Sequence, residues 1–167
     1  SRKPFFVMPL LPGATLDKLI RDGSPRLNVD NVVAMIEQAA RGLQAAHEHA
    51  LVHGDIKPSN IFVLDDDTVK IIDFGIARSA SRMTKTSLKG TLAYLAPEQL
   101  KLTPATAQSD LYSLAVSCYE ALTRRKAFRG ATEEELGNAI LHSSPPPATE
   151  INPNVKFAVS QVLHKAM

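Results

Sequence analysis

The chain has 167 residues, 44% of them hydrophobic, which suits one compact domain with its own core. Its charged fraction is 22% and its formal net charge is +2, so the composition predicts neither a nucleic-acid partner nor contact with an anionic membrane. A lone cysteine, Cys118, excludes an internal disulfide framework, and no apolar run reaches membrane-spanning length, so we expect a reducing, cytoplasmic setting.

The first residues predict an extended segment followed by a short helix. The run from Phe5 to Leu10 is apolar and has the character of a strand, and Pro12 and Gly13 then predict a turn. Thr15 is typical of an N-cap for a helix that continues to Ile20. Because the N-terminus lacks a cleavage signature, we expect it to be interior sequence of a longer protein.

Two longer stretches predict helices of different kinds. Between Asn28 and about His49, apolar residues recur at steps of three and four, which predicts an amphipathic helix. Between Ser109 and Thr123 the sequence is apolar on nearly every face, which predicts a central buried helix with Ser109 or Asp110 as its N-cap.

The remaining segments predict a hairpin, two loops and two further helices. Residues 61–64 and 69–72 are rich in branched side chains and flank an acidic turn, which indicates a β-hairpin. Residues 78–91 predict a surface loop, and the proline-rich residues 143–154 predict a loop without regular structure. Three glutamates at 133–135 are typical of the first turn of a helix, and residues 155–167 predict the last helix.

The hairpin places two oxygen-bearing side chains at one end. Asn60 precedes its first strand and Asp73 follows its second, so antiparallel pairing brings them to the same open end. One amide and one carboxylate, with the other ligands left to water or substrate, favour Mg²⁺ on a nucleotide. Asp55 and Lys57 lie just upstream and add a candidate base and a fixed positive charge. This combination favours phosphoryl transfer.

Two other metal sites are weighed and disfavoured. His47, His49 and His53 are closely spaced, but a helix end followed by a loop does not bring three imidazoles together as a zinc site requires. The acidic run 65–67 lacks the later glutamate of a calcium loop, so it is interpreted as a solvated turn.

Three ordered motifs carry a resemblance to a known family. HGDIKPSN at 53–60 resembles the protein-kinase catalytic loop, DFG at 73–75 its metal-binding motif, and APE at 96–98 the motif that closes the activation segment. The whole chain is similar to eukaryotic-like serine/threonine kinases of the bacterial branch. The resemblance implies a mainly α lobe of the α+β kinase fold: a helical bundle around a buried central helix, with small β-hairpins.

The resemblance also implies an organisation of the chain. Residues 1–12 would form the last N-lobe strand and the hinge, and residues 13–167 the C-lobe, ending before its last helix. The catalytic loop would be 53–60 and the activation segment 73–98. By the same resemblance, Asp55 would orient the substrate hydroxyl and accept its proton, Lys57 would lie by the transferred phosphate, and Thr91 would bind both. Asn60 and Asp73 would hold Mg²⁺ or Mn²⁺.

Further site residues follow from the same resemblance. ATP's adenine would lie against the hinge backbone at Pro9 and Leu11, with Met8 as gatekeeper and Phe62 as its floor. The resemblance further implies structural or regulatory roles for His53 and Phe74, which would stack, for Asp110, which would hold the catalytic-loop backbone, and for Gly54, Gly75 and Glu98.

Departures from the family pattern concern regulation and completeness. No glycine-rich loop and no ATP-binding lysine occur in the chain, so the isolated chain is expected to be inactive and to need the N-lobe of its parent. Gly54 replaces the arginine that usually pairs with an activation-segment phosphate. Candidate phosphosites, beside Arg82, Lys85 and Lys89, are Thr84, Thr86 and Ser87. Because the chain ends before the arginine that pairs with the APE glutamate, Glu98 is expected without that partner.

The resemblance implies a kinase that transfers the ATP γ-phosphate to protein serine or threonine, in the cytoplasm or as the cytoplasmic domain of a membrane-anchored protein. It implies no nucleic-acid partner and no membrane contact by this segment. Two alternatives stay open at this point. One is a pseudokinase or scaffold, and the other is an interaction module that binds a partner through the uncovered hinge and adenine floor.

Overall fold

A computed structural model of the protein describes residues 9–74 and 90–167. Within these ranges the fold is mainly helical, as predicted, with one three-stranded antiparallel sheet. The strands are β1 Gly13–Thr15, β2 Ile61–Leu64 and β3 Val69–Ile71. The helices are α1 Leu16–Arg21, α2 Val29–Glu48, α3 Pro97–Leu100, α4 Ala107–Thr123, α5 Glu133–His142, α6 Ala148–Ile151 and α7 Phe157–Ala166. Short 3₁₀ turns lie at Pro58–Asn60 and Leu92–Tyr94.

The sheet contains the predicted hairpin and one strand that the sequence did not predict. Ile61 pairs with Ile71 in β2 and β3, and β1 adds to the other edge of β2 with Ala14 opposite Val63. A Cβ at Gly13 would lie 2.2 Å from the Val63 carbonyl oxygen, so the close approach of β1 requires glycine. Of the predicted turn, Pro12 lies in a bend, whereas Gly13 belongs to β1. Pro9 and Leu10, the described end of the expected first strand, belong to no strand.

The two predicted N-terminal helices form as expected. Thr15 caps α1 by accepting a hydrogen bond from the Lys18 N–H, and Asn28 caps α2 by accepting one from the Asn31 N–H. The apolar stripe of α2 is buried and packs against α4 and β3. This layer fixes the position of the loop that leaves the end of α2.

The central helix α4 is buried on most of its surface, as predicted, although its cap was predicted wrongly. Thirteen of its 17 residues are buried, and the hydroxyls of Ser113 and Ser117 donate to the main-chain carbonyls of Ser109 and Ser113. The N-cap is Thr106, whose side chain accepts from the Ser109 N–H, and the Ser109 hydroxyl accepts from the Thr106 N–H. The predicted cap, Ser109 or Asp110, therefore lies inside the first turn.

The C-terminal part contains one more helix than predicted. Thr132 caps α5 and the three glutamates occupy its first turn, as expected. The proline-rich stretch was predicted to lack regular structure, but α6 forms at Ala148–Ile151, where no proline interrupts the chain. The last helix, α7, starts at Phe157 rather than at 155. In residues 9–74 and 90–167, no helix combines the length and the apolar character that crossing a membrane requires.

Candidate active site

The loop between α2 and β2 is held from the interior of the fold by one carboxylate. Asp110 is 1% exposed, and its two oxygens accept hydrogen bonds from the main-chain N–H of His53 at 2.9 Å and of Gly54 at 2.7 Å. The His47 ring nitrogen Nε2 lies 2.8 Å from the same carboxylate and donates to it. Hydrogen bonds to a charged acceptor are the stronger kind, so the start of residues 53–60 is fixed to α4.

Asp55, Lys57 and Thr91 lie together on the far side of this loop. The Lys57 ammonium donates to Asp55 Oδ2 at 2.9 Å and to Thr91 Oγ1 at 3.0 Å. The side chains of Lys57 and Asp55 are only 20% and 13% exposed, so this ion pair is shielded from water more than a surface pair. The cluster joins two segments that are 34 residues apart in sequence.

Asn60 is buried where the loop enters β2, and its amide is oriented by its contacts. Asn60 Nδ2 donates to the Asp55 carbonyl at 2.8 Å and lies 3.4 Å from Asp55 Oδ2. A carbonyl can only accept, so the amide nitrogen faces Asp55 and Asn60 Oδ1 is left for other contacts, of which the Ser59 hydroxyl at 3.5 Å is one. This orientation gives Asn60 an oxygen that a metal ion can use.

Asp73 lies at the same end of the hairpin as Asn60. The Ile72 N–H donates to the Asn60 carbonyl at 2.9 Å, and Asp73 is the next residue, exposed and with a φ of 58°. Left-handed backbone is uncommon for residues other than glycine and favours asparagine and aspartate among them. An amide oxygen and a carboxylate fit a hard cation such as Mg²⁺ or Mn²⁺, which keeps several water ligands.

His53 connects the loop between α2 and β2 to the residues that follow strand β3. Its ring lies 4.8 Å from the Phe74 ring, centroid to centroid, at an interplanar angle of 58°, so the two rings are in contact but tilted rather than stacked as expected. His53 Nε2 is 3.0 Å from the Ile72 carbonyl, and its Nδ1 is 3.2 Å from the Asp55 N–H. Since a carbonyl only accepts and an N–H only donates, these contacts assign the proton to Nε2 and make Nδ1 an acceptor.

Gly54 has a backbone conformation that suits its residue type. Its φ is 71°, and a Cβ there would lie 3.2 Å from the Ala105 Cβ. The loop that carries Ala105 therefore occupies the space next to the position where the family usually has arginine.

The segment after Thr91 is bound to α4 by several side chains. Ser113 donates to the Tyr94 carbonyl at 2.7 Å, and the Ser109 hydroxyl donates to Glu98 Oε1 at 2.5 Å. Glu98 thus has a partner within the chain, although not the arginine expected from the family. The Tyr94 hydroxyl donates to Glu120 at 2.6 Å, and burial, reinforced by that carboxylate, raises the pKa of Tyr94 far above its usual value.

The predicted adenine contacts are only partly described. Phe62 is half-buried on the sheet face opposite the fully buried Ile61 and Val63. Pro9 is exposed and Leu11 is half-buried, both in irregular backbone. The other candidates on this part of the chain and on the activation segment lie outside the described residues: Met8, Gly75, Thr84, Thr86 and Ser87, with the neighbouring Arg82, Lys85 and Lys89.

The residues of the two metal sites that the sequence disfavoured make other contacts in the structure. His49 Nδ1 lies 2.9 Å from the Ala45 carbonyl of its own helix, while His47 and His53 make the contacts described above. In the described part of the chain, no group of three or more histidine, cysteine, aspartate or glutamate residues lies close enough to hold a metal ion. Within the acidic turn, Asp67 binds Arg26 at 2.6 Å.

Three residues of the site were not found by sequence reasoning: Gln99, Ser109 as the partner of Glu98, and His47 as a partner of Asp110. Each makes a side-chain contact with a residue outside its own local segment. Gln99 contacts Gly54, 45 residues away, Ser109 contacts Glu98, 11 residues away, and His47 contacts Asp110, 63 residues away. The one feature of the sequence that could have drawn attention to Gln99 is its position directly after the APE motif.

Comparisons with known proteins agree with the geometry. A family model described as protein kinase domain matches residues 1–167. The chain is 39% identical over 154 residues to the serine/threonine-protein kinase PknL of Mycobacterium tuberculosis, covering 90% of this chain and 38% of that protein. It is 37% identical over 169 residues to PknA of the same species, covering 99% and 39%.

A third relative comes from another genus. The chain is 33% identical over 165 residues to the probable serine/threonine-protein kinase PknB of Lactococcus lactis, which covers 97% of this chain and 26% of that protein. The chain therefore spans between 26% and 39% of the length of these relatives.

Proposed function

Because this chain belongs to the protein kinase domain family, we propose that it is the catalytic C-lobe of a serine/threonine kinase that transfers the γ-phosphate of ATP to protein hydroxyls. The observation that carries the proposal is the cluster in which Lys57 binds both Asp55 and Thr91. The three relatives described above, named as serine/threonine-protein kinases, support it.

In this proposal each member of the cluster has one task. Asp55 accepts a hydrogen bond from the substrate hydroxyl and takes its proton as the new bond to phosphorus forms. Lys57 already neutralises Asp55 and is positioned to balance negative charge on the transferred group. Thr91 holds the Lys57 ammonium from the side of the substrate segment, which keeps the three groups in register.

Other residues of the site would hold the metal and the nucleotide. Asn60 Oδ1 and the Asp73 carboxylate would hold Mg²⁺ or Mn²⁺, which supplies charge neutralisation to the phosphates when bound. Phe62 would support the adenine from below, and the backbone of Pro9 and Leu11 would face its edge, beside Met8. A glycine-rich loop and an ATP-binding lysine, which these 167 residues do not contain, would complete this site.

The remaining candidates keep supporting or regulatory roles in the proposal. Asp110 holds the loop backbone, and Glu98 anchors the end of the activation segment through Ser109. The tilted rings of His53 and Phe74 pack against each other, and Gly75 follows Phe74 in sequence. Phosphorylation at Thr84, Thr86 or Ser87 would tune docking rather than switch catalysis, because Gly54 has no cation for a phosphate. We propose that this domain works on the cytoplasmic side, where ATP and protein substrates are available.

The test is a phosphoryl-transfer assay on the complete protein encoded by the gene that contains this sequence. With ATP and Mg²⁺, we expect transfer to a serine- or threonine-containing protein and none to tyrosine. Asp55→Asn should lower kcat by about 10²–10⁴-fold, because the proton acceptor is lost. Lys57→Met should lower kcat by about 10²-fold or more.

A matched control separates catalysis from folding. Lys156→Met removes an exposed lysine whose partner, Asp30, is itself 83% exposed, and it should leave the rate unchanged. ATP binding without transfer in the wild-type protein would instead favour the pseudokinase alternative and refute the kinase proposal.

A further inference from the structure

The side chain of Gln99 connects the end of the APE segment to the catalytic-loop backbone. Gln99 Nε2 donates to the Gly54 carbonyl at 3.0 Å, and Gln99 Oε1 accepts from the Ala96 N–H at 3.0 Å. The carbonyl can only accept and the N–H can only donate, so both contacts fix the same orientation of the amide. Only a side chain that carries both a donor and an acceptor on one planar group can make the two contacts together.

The peptide bond that Gln99 contacts is the one that leads into Asp55. The Gly54 carbonyl and the Asp55 N–H belong to this one peptide group, and the N–H donates to His53 Nδ1 at 3.2 Å. The preceding peptide is held by Asp110, which accepts from the Gly54 N–H at 2.7 Å. Gln99 therefore supplies the contact that holds the oxygen side of the Gly54–Asp55 peptide.

The backbone at this point would otherwise be easy to rotate. Glycine populates both signs of φ about equally, so the residue type at 54 does not by itself select the observed φ of 71°. A rotation of the peptide would move the Asp55 Cα and the carboxylate beyond it. An external hydrogen bond to the Gly54 carbonyl opposes that rotation.

We infer that Gln99 is a positioning residue: it holds the Gly54–Asp55 peptide and so sets the orientation of Asp55 relative to the substrate-side segment. The inference rests on the proposed function for its catalytic consequence, because it assigns Asp55 as the group to be oriented. It does not require a phosphate on the activation segment, since both partners of Gln99 are main-chain atoms.

Two substitutions separate this role from simple helix capping. Gln99→Glu keeps the oxygen that accepts from Ala96 but places a second acceptor against the Gly54 carbonyl. Gln99→Met keeps the length of the side chain and removes both bonds. If Gln99 only capped α3, the glutamate variant would behave like wild type and the methionine variant would not.

The first measurement uses the complete protein in a steady-state kinase assay. We expect both variants to lower kcat by about threefold to tenfold, because both lose the hydrogen bond to the Gly54 carbonyl, with the KM for ATP unchanged. Gln161→Glu, on the exposed side of α7, is the matched control and should have wild-type kcat. A wild-type kcat for Gln99→Glu would overturn the inference and leave capping as the role.

The second measurement does not depend on activity. Amide hydrogen exchange at Asp55 should become faster in both variants, because this N–H belongs to the peptide that Gln99 holds. Exchange within α4 should stay unchanged. Unchanged exchange at Asp55 in both variants would overturn the inference whatever the kinase activity is, whereas an inactive wild-type protein would refute the proposed function and leave this measurement to decide on Gln99.

Discussion

Replacing Asp110 should lower the free energy of unfolding more than replacing any surface carboxylate would. The side chain is 1% exposed and accepts from two main-chain N–H groups and from His47. Asp110→Ala leaves these donors without their acceptor, and each buried main-chain N–H that loses its partner costs about 1–3 kcal/mol. With His47 partly open to water, we expect a loss of about 4 kcal/mol in the free energy of unfolding.

A graded pair of variants makes the expectation sharper. Asp110→Asn keeps one acceptor oxygen and loses the charge, so its loss should be about 2 kcal/mol. The matched control is Asp30→Ala, which removes an exposed aspartate paired with Lys156 at 3.2 Å and should cost less than about 1 kcal/mol. Urea denaturation followed by circular dichroism gives the three values.

Amide hydrogen exchange tests whether the loss of stability comes from the unsatisfied N–H donors. Amide exchange at His53 and Gly54 should accelerate in Asp110→Ala, because their donors lose the carboxylate. A stability loss below about 1 kcal/mol, or protected amides at both residues in the variant, would refute the reasoning from burial and unsatisfied donors.

Three further outcomes follow from the packing. Gly54→Ala should cost about 1–2 kcal/mol, because its φ is 71°, whereas Gly137→Ala, in helix α5 with open space around it, should stabilise by up to about 1 kcal/mol; thermal unfolding compares the two. Ser109→Ala should cost about 1–2 kcal/mol, because it removes the donor to Glu98 and half of the cap of α4; equal melting temperatures would contradict this. Burial raises the pKa of the Cys118 thiol to about 12, so at pH 8 a thiol reagent should label it only after unfolding, and rapid labelling of the folded protein would contradict its burial.

Local patterns predicted the elements whose partners are close in sequence. The three- and four-residue period of α2 and the β2–β3 hairpin depend on residues within one helix or one turn, and both form as predicted. The N-cap of α4 was misassigned because Thr106 and Ser109 are both cap residues, and only the reciprocal bonds between them show which one precedes the helix.

Elements that depend on distant partners were not predicted. Strand β1 has three residues and contains Gly13, so nothing in its own sequence indicates a strand until β2, about 50 residues later, lies beside it. The same holds for Gln99, whose sequence neighbours do not reveal that its amide reaches Gly54. By contrast, the sequence could predict that Asn60 and Asp73 lie at the same end of the hairpin, because strand pairing alone determines it.

The contacts around Gly54 show how a loop can be ordered without a side chain at this position. In the usual family pattern an arginine at this place pairs with a phosphate on the activation segment. Here the N–H of Gly54 is bound by Asp110 and its carbonyl by Gln99, and neither bond uses a side chain at position 54. Glycine also adopts the observed φ without the steric cost of other residues. The backbone that leads into Asp55 is therefore held by α3 and α4 through contacts that need no side chain at position 54.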